Sequence, residues 1–88
     1  SASVSSVASS ATVVTLAAAN ESRTQLTIFN DSTAALYVKL GSAGSTSSFS
    51  IKMSAGSYFE LAGGSTVYTG VVTGLWDAVN GSARITEY

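Results

Sequence analysis

The chain has 88 residues with a formal net charge of −1, no histidine and no cysteine, and charged residues make up 10% of it against 45% hydrophobic. Four Lys and Arg cannot neutralise a nucleic-acid backbone, and without His or Cys the common nucleophile–base pairs, zinc sites and disulfides cannot be built. A single domain of this length buries only about 60–65% of the surface its unfolded chain exposes, so association with other subunits is the route left open to extra stability.

No apolar run approaches the roughly 20 residues of a membrane-spanning helix. Residues 1–19 end in Ala17-Ala18-Ala19 but lack the basic opening and continuous apolar stretch of a secretion signal.

Residues 1–11 alternate small polar and small apolar types with no large side chain to bury, so this segment cannot fold by itself. It reads either as a loose tail or as an extended arm that adds to the sheet edge of a neighbouring subunit. Residues 12–88 form one domain with a period of two throughout. Leu26 and Ile28 alternate with Gln25 and Thr27, then Leu36, Val38 and Leu40 with Tyr37 and Lys39. Phe49, Ile51 and Met53 alternate with Ser50 and Lys52, Phe59 and Leu61 with Tyr58 and Glu60, and Ala83 and Ile85 with Arg84 and Thr86. Each run offers one apolar and one wetter face, as half-buried strands do.

The connections agree with strands. Asn80-Gly81 predicts a type I′ hairpin turn, and Asn30-Asp31-Ser32-Thr33 predicts a second hairpin. Residues 41–47 read as a longer loop, Ala55-Gly56 as a tight turn and Ala62-Gly63-Gly64-Ser65 as another loop. About seven or eight strands at this spacing predict an all-β fold, an antiparallel β-sandwich or small barrel with an extended N-terminal arm. The expected core is Val14, Leu16, Leu26, Ile28, Leu36, Val38, Leu40, Phe49, Ile51, Phe59, Leu61, Leu75 and Ile85. Residues 71–76 are ambiguous, because Gly70 and Gly74 interrupt the pattern and either face suits the interior.

Chemistry is sparse. Glu60, Asp77 and Glu87 are the candidate acids and bases, yet isolated carboxylates on wet strand faces usually pair with cations, and Arg84 beside Glu60 or Glu87 is such a pair. Serine hydroxyls have no histidine to activate them, and Lys39 and Lys52 sit at outward positions without a motif. Asn30, Asp31 and Ser32, or Asp77 and Asn80, offer oxygens, but turn chemistry accounts for them and no cluster reaches the six to eight oxygens calcium takes. Gly41 to Gly44 lacks the context of a phosphate loop. No catalytic residue, metal or cofactor is expected. The aromatics are the remaining signal: Tyr37, Tyr58, Tyr68 and Trp76 are the candidate partner contacts, with core packing the competing reading for Trp76.

Arg23-x-x-Leu26-x-Ile28-x-Asn30-x-Ser32, Leu36-Tyr37-Val38-Lys39-Leu40-Gly41, Tyr58-x-Glu60-Leu61 and Tyr68-x-Gly70-x-Val72-x-Gly74-Leu75-Trp76-x-Ala78-x-x-Gly81-x-Ala83-x-Ile85-x-Glu87 together resemble small structural proteins of tailed-bacteriophage virions. The likeness spans residues 23–87, rests on scaffold residues, and does not include the N-terminal arm. It implies a virion component: a capsid decoration or cement protein docking on the major capsid protein and self-associating on the particle, or a neck, tail or fibre component. Its residue composition also suits the alternative of a carbohydrate-binding module that attaches to a glycan. Nucleic acid and membrane are not expected partners.

Overall fold

The computed structural model describes residues 2–61 and 67–88, and the loop expected at Ala62-Gly63-Gly64-Ser65 lies outside them. Among the described residues there is no helix. Eight strands form: β1 (Ser3–Ala8), β2 (Val14–Ala17), β3 (Leu26–Ser32), β4 (Leu36–Leu40), β5 (Ile51–Met53), β6 (Tyr58–Leu61), β7 (Val72–Trp76) and β8 (Gly81–Glu87). They make two four-stranded antiparallel sheets, ordered β1-β8-β3-β6 and β2-β7-β4-β5. The expected all-β sandwich is the fold, but residues 3–8, expected as a loose tail or an arm reaching a neighbouring subunit, are corrected to an edge strand that pairs with β8 of the same chain, whose open edge satisfies their backbone groups.

The period-two pattern fixes which side chains meet between the sheets. Leu26 and Ile28 on β3, Leu36 and Val38 on β4, Met53 on β5, Ala83 and Ile85 on β8 and Leu16 on β2 are buried in one cluster. Val14, Leu40, Ile51, Phe59 and Leu61 pack at its margin. Each large aliphatic side chain taken fully out of water contributes about 1.5–3 kcal/mol, offset by the entropy of ordering it.

One expected core residue, Phe49, is corrected, and another, Leu75, is buried outside the main cluster. Phe49 precedes β5, is 40% exposed, and sets its edge on the Tyr37 ring with centroids 5.1 Å apart. Leu75 is buried but lies beside Tyr37 on the far side of the second sheet, because β7 turns Val72, Gly74 and Trp76 inward. Gly74 explains why that parity is needed. A Cβ there would lie 2.8 Å from Leu16 Cδ1 and 3.0 Å from the Tyr37 carbonyl oxygen, so the glycine lets neighbouring chains close over it.

The two expected hairpins are also corrected. β3 and β4 belong to different sheets, and so do β7 and β8, so residues 33–35 and 77–80 each carry the chain across the sandwich. β3 continues through Ser32, absorbing most of Asn30-Asp31-Ser32-Thr33. Neither Asn80 nor Gly81 has the positive φ of a type I′ turn. Gly81 is needed for proximity instead: a Cβ would sit 2.4 Å from the Asp31 carbonyl oxygen and 2.6 Å from Ser32 Cα. The long loop after β4 closes a β4–β5 hairpin, and every other connection passes from one sheet to the other.

Two buried polar side chains hold these crossings in place. The Asn30 side chain, fully buried on β3, donates from Nδ2 to the carbonyls of Ala34 (2.9 Å), Met53 (3.2 Å) and Ser54 (3.1 Å). Its Oδ1 accepts from Trp76 Nε1 at 3.1 Å and Ser32 Oγ at 2.7 Å. Arg23, 2% exposed before β3, donates to Glu87 Oε2 (2.7 Å) and to the carbonyls of Tyr68 (3.1 Å), Gly70 (3.0 Å) and Ala18 (2.7 Å). Arg23, not Arg84, is thus the partner of Glu87, while Arg84 Nε pairs with Asp31 Oδ2 at 2.8 Å. Among the described residues no buried side-chain nitrogen or oxygen lacks a partner.

Asn30→Leu leaves Trp76 Nε1 and the backbone carbonyls without their partner in a dry site, and should cost about 3 kcal/mol or more in urea unfolding. Arg23→Met, which strands the Glu87 carboxylate and the carbonyls around it, should cost a similar amount of about 3–5 kcal/mol. A loss under about 1 kcal/mol in either variant would show that the crossings are held by apolar packing alone.

Candidate contact surface

The four aromatic residues proposed as contacts occupy different environments. Trp76 is 1% exposed, its ring in the core and its Nε1 committed to Asn30, so as a surface residue it is corrected to a core one. Tyr37 does face away from the core, as its strand neighbours require, but it is only 9% exposed because Phe49 and Lys52 cover it. Lys52 Nζ lies 5.3 Å from the centre of that ring, within cation–π range. Tyr68 packs at the core margin, and its hydroxyl donates to the Val71 carbonyl at 2.8 Å. Tyr58 alone of the four is open to solvent, at 69% exposure.

Tyr58 does not stand alone. The register of the first sheet places it directly across from Phe29, which is 37% exposed, and places Phe29 across from Arg84. Directly opposed side chains have Cβ atoms about 4.5–5.5 Å apart on one face of a sheet. Ser6 of β1 lies beyond Arg84 in the same row. A parallel row runs from Val4 through Thr86 and Thr27 to Glu60, whose carboxylate accepts from Gln25 Nε2. The solvent face of the sheet therefore carries two aromatic residues at directly opposed positions, flanked by an exposed Arg84–Asp31 pair and a Gln25–Glu60 pair. An ion pair as exposed as Arg84–Asp31 contributes about 0–1 kcal/mol to stability.

Phe29 carries no mark as a contact residue in the sequence reading. Its signal is parity: Leu26 and Ile28 point inward, and Phe29 is the odd position between Ile28 and Asn30. Taking Asn30-Asp31 as a turn hid it, by making Phe29 look like a strand end.

The groups considered for chemistry stay apart. Glu60, Asp77 and Glu87 lie on β6, after β7 and at the end of β8, and Glu87 is held by Arg23. Lys39 Nζ donates to Ser48 Oγ at 2.9 Å, and Asn80 Oδ1 accepts from the Thr33 backbone N–H at 3.3 Å. Among the described residues no three acidic side chains converge as a metal site would require, and no cavity opens. No protein family, curated protein or solved structure matches this chain.

The division between surface and core aromatics is measurable. Tyr58→Ala should change unfolding stability by no more than about 0.5 kcal/mol, whereas Trp76→Ala should cost about 3–5 kcal/mol. Comparable losses in the two variants would place Tyr58 within the packed structure.

Proposed function

We propose that this chain is a non-enzymatic structural protein of a tailed-bacteriophage virion, a capsid decoration or cement protein that docks on the major capsid protein lattice, with a neck, tail or fibre position as the nearest variant. The observation that carries the contact is the Phe29–Tyr58 pair on the solvent face of β3 and β6. Exposed aromatics at opposed positions on one sheet face supply rigid contact area at low entropic cost, and Tyr in particular is enriched at interface hot spots. The scaffold residues over 23–87 that resemble such virion proteins support the setting.

The mechanism is mechanical. Each copy contributes a modest contact, and repetition over a symmetric shell converts modest affinity into avidity. With few charges on the chain, such docking draws on apolar and backbone contacts and responds weakly to salt.

The same face favours one second reading. Aromatic rings beside the Gln25–Glu60 and Asp31–Arg84 polar groups suit a sugar ring, which stacks by its C–H face and hydrogen-bonds at its rim. Glycan binding by an adhesion module then uses Phe29 and Tyr58 as its platform.

Mixing the purified protein with undecorated particles should give saturable, stoichiometric binding that weakens about thirtyfold in Tyr58→Ala or Phe29→Ala, a loss of about 2 kcal/mol. Absence of saturable binding overturns the docking reading. Glycan-array binding that Tyr58→Ala abolishes, with the circular dichroism spectrum unchanged, establishes the adhesion reading in its place.

A further inference from the structure

The four outer edges of the sandwich are not alike. β5 is three residues long and carries Lys52, β6 is four residues long and carries Glu60, and the pairing of β2 with β7 shifts register between Thr15 and Ala17. Short length, a charge or an irregularity each discourages another strand from adding at an edge. β1 has none of these protections. Ser3–Ala8 is six residues long, uncharged and free of proline, and pairs with β8 in unbroken register from Ser3↔Glu87 to Ala8↔Ser82. Every second residue of such an edge strand points its N–H and C=O away from its neighbour, and among the described residues no strand lies on that side. Val4, 73% exposed, is an apolar side chain left uncovered on the same strand.

We propose that β1 is a self-association edge, where β1 of a second copy of this chain pairs antiparallel across a two-fold axis and joins the two β1-β8-β3-β6 sheets into one. The axis must stand perpendicular to the sheet, because only that rotation reverses strand direction while keeping both solvent faces on one side. Outward residues then meet outward residues, which for β1 are Val4, Ser6 and Ala8. With Ser6 on the axis, Val4 of each copy lies opposite Ala8 of the other, and Ser5 lies opposite Val7. The exposed valine gains an apolar neighbour and no charge faces a charge. Arg84, beside Ser6 on β8, already has Asp31 as its partner.

The end of β1 is suited to hold this edge in place. Ser9 donates its N–H to the Gly81 carbonyl at 2.9 Å and accepts the Gly81 N–H on Oγ at 3.0 Å, and the Ser10 carbonyl accepts the Trp76 backbone N–H at 2.8 Å. Those bonds fix the strand to its own protomer, so the second copy meets a formed template. This deepens the self-association included in the virion reading by assigning it an edge, but its geometry rests on β1 and not on the capsid.

The chain has no cysteine, so a single introduced thiol reports pairing without background. Opposed Cβ atoms in a ladder are about 4.5–5.5 Å apart, close enough for a disulfide after slight adjustment. Under mild oxidation at about 100 μM, a range suited to a small interface, Ser6→Cys should form a covalent dimer at least about tenfold faster than Ser47→Cys in the exposed β4–β5 loop. The unaltered chain should sediment as a monomer–dimer equilibrium, and Ser6→Lys, which opposes two like charges at the axis, should weaken it at least about tenfold while leaving the melting temperature unchanged at concentrations low enough that both chains are monomeric. Equal cross-linking rates, a strictly monomeric unaltered chain, or a dimer that Ser6→Lys leaves intact, as exchanged β1 strands would give, overturns the proposal. Particle binding is read separately: a dimer that ignores capsids sinks the docking reading and supports this one.

Discussion

Both layers of the sandwich are tied at one amide. Asn30 belongs to β3 of the first sheet, yet each of its side-chain bonds but one leads to the second sheet or to the segments entering and leaving it: Trp76 on β7, Ala34 ahead of β4, and Met53 and Ser54 at the end of β5. A polar group in a dry core is worth having only when all its donors and acceptors are met, and here they are. An aliphatic side chain of similar volume could fill the space but could not specify the direction in which β4, β5 and β7 leave it. Trp76 gains from the same bond, since its indole N–H has a partner while its ring supplies the largest apolar surface in the core.

Arg23 does at one end of the fold what Asn30 does in the middle. Its guanidinium ties the turn before β3, the segment before β7 and the last residues of β8 through one carboxylate and three carbonyls. With so few charges on the chain, pairing buried Arg23 with the partly exposed Glu87 leaves still fewer of them free at the surface.

The crossing topology has a bearing on function. Because nearly every connection passes between layers, strands adjacent in the chain seldom lie side by side, and the N-terminal strand ends at the rim of the sheet whose face carries Phe29 and Tyr58. A face and an edge of one sheet are thereby offered together. The second sheet is closed by contrast, its central Tyr37 covered by Phe49 and Lys52 and its edges short or irregular.

The positions of the strands from β2 onward and most of the core are legible in the chain itself, because alternation in runs such as Leu26–Ile28 and Leu36–Val38–Leu40 leaves one face that must leave water, whereas β1 has no large side chain to mark it. Pairing is not legible. Asn80-Gly81 carries the local chemistry of a hairpin, but Gly81 is required by an approach to Asp31 and Ser32, residues some fifty positions away along the chain, and no local pattern encodes such a neighbour. Parity was undecided at β7 for a related reason: Gly74 has no side chain to mark its face, so the choice between Leu75 and Trp76 fell to what lay across the sandwich, where Asn30 Oδ1 accepts the Trp76 indole N–H. The candidate surface followed from those two outcomes. Sequence determines that amphipathic strands carry aromatic rings at both inward and outward positions; only packing across the two layers decides that Trp76 and Tyr68 are inside, Tyr37 is covered, and Phe29 and Tyr58 are left in water.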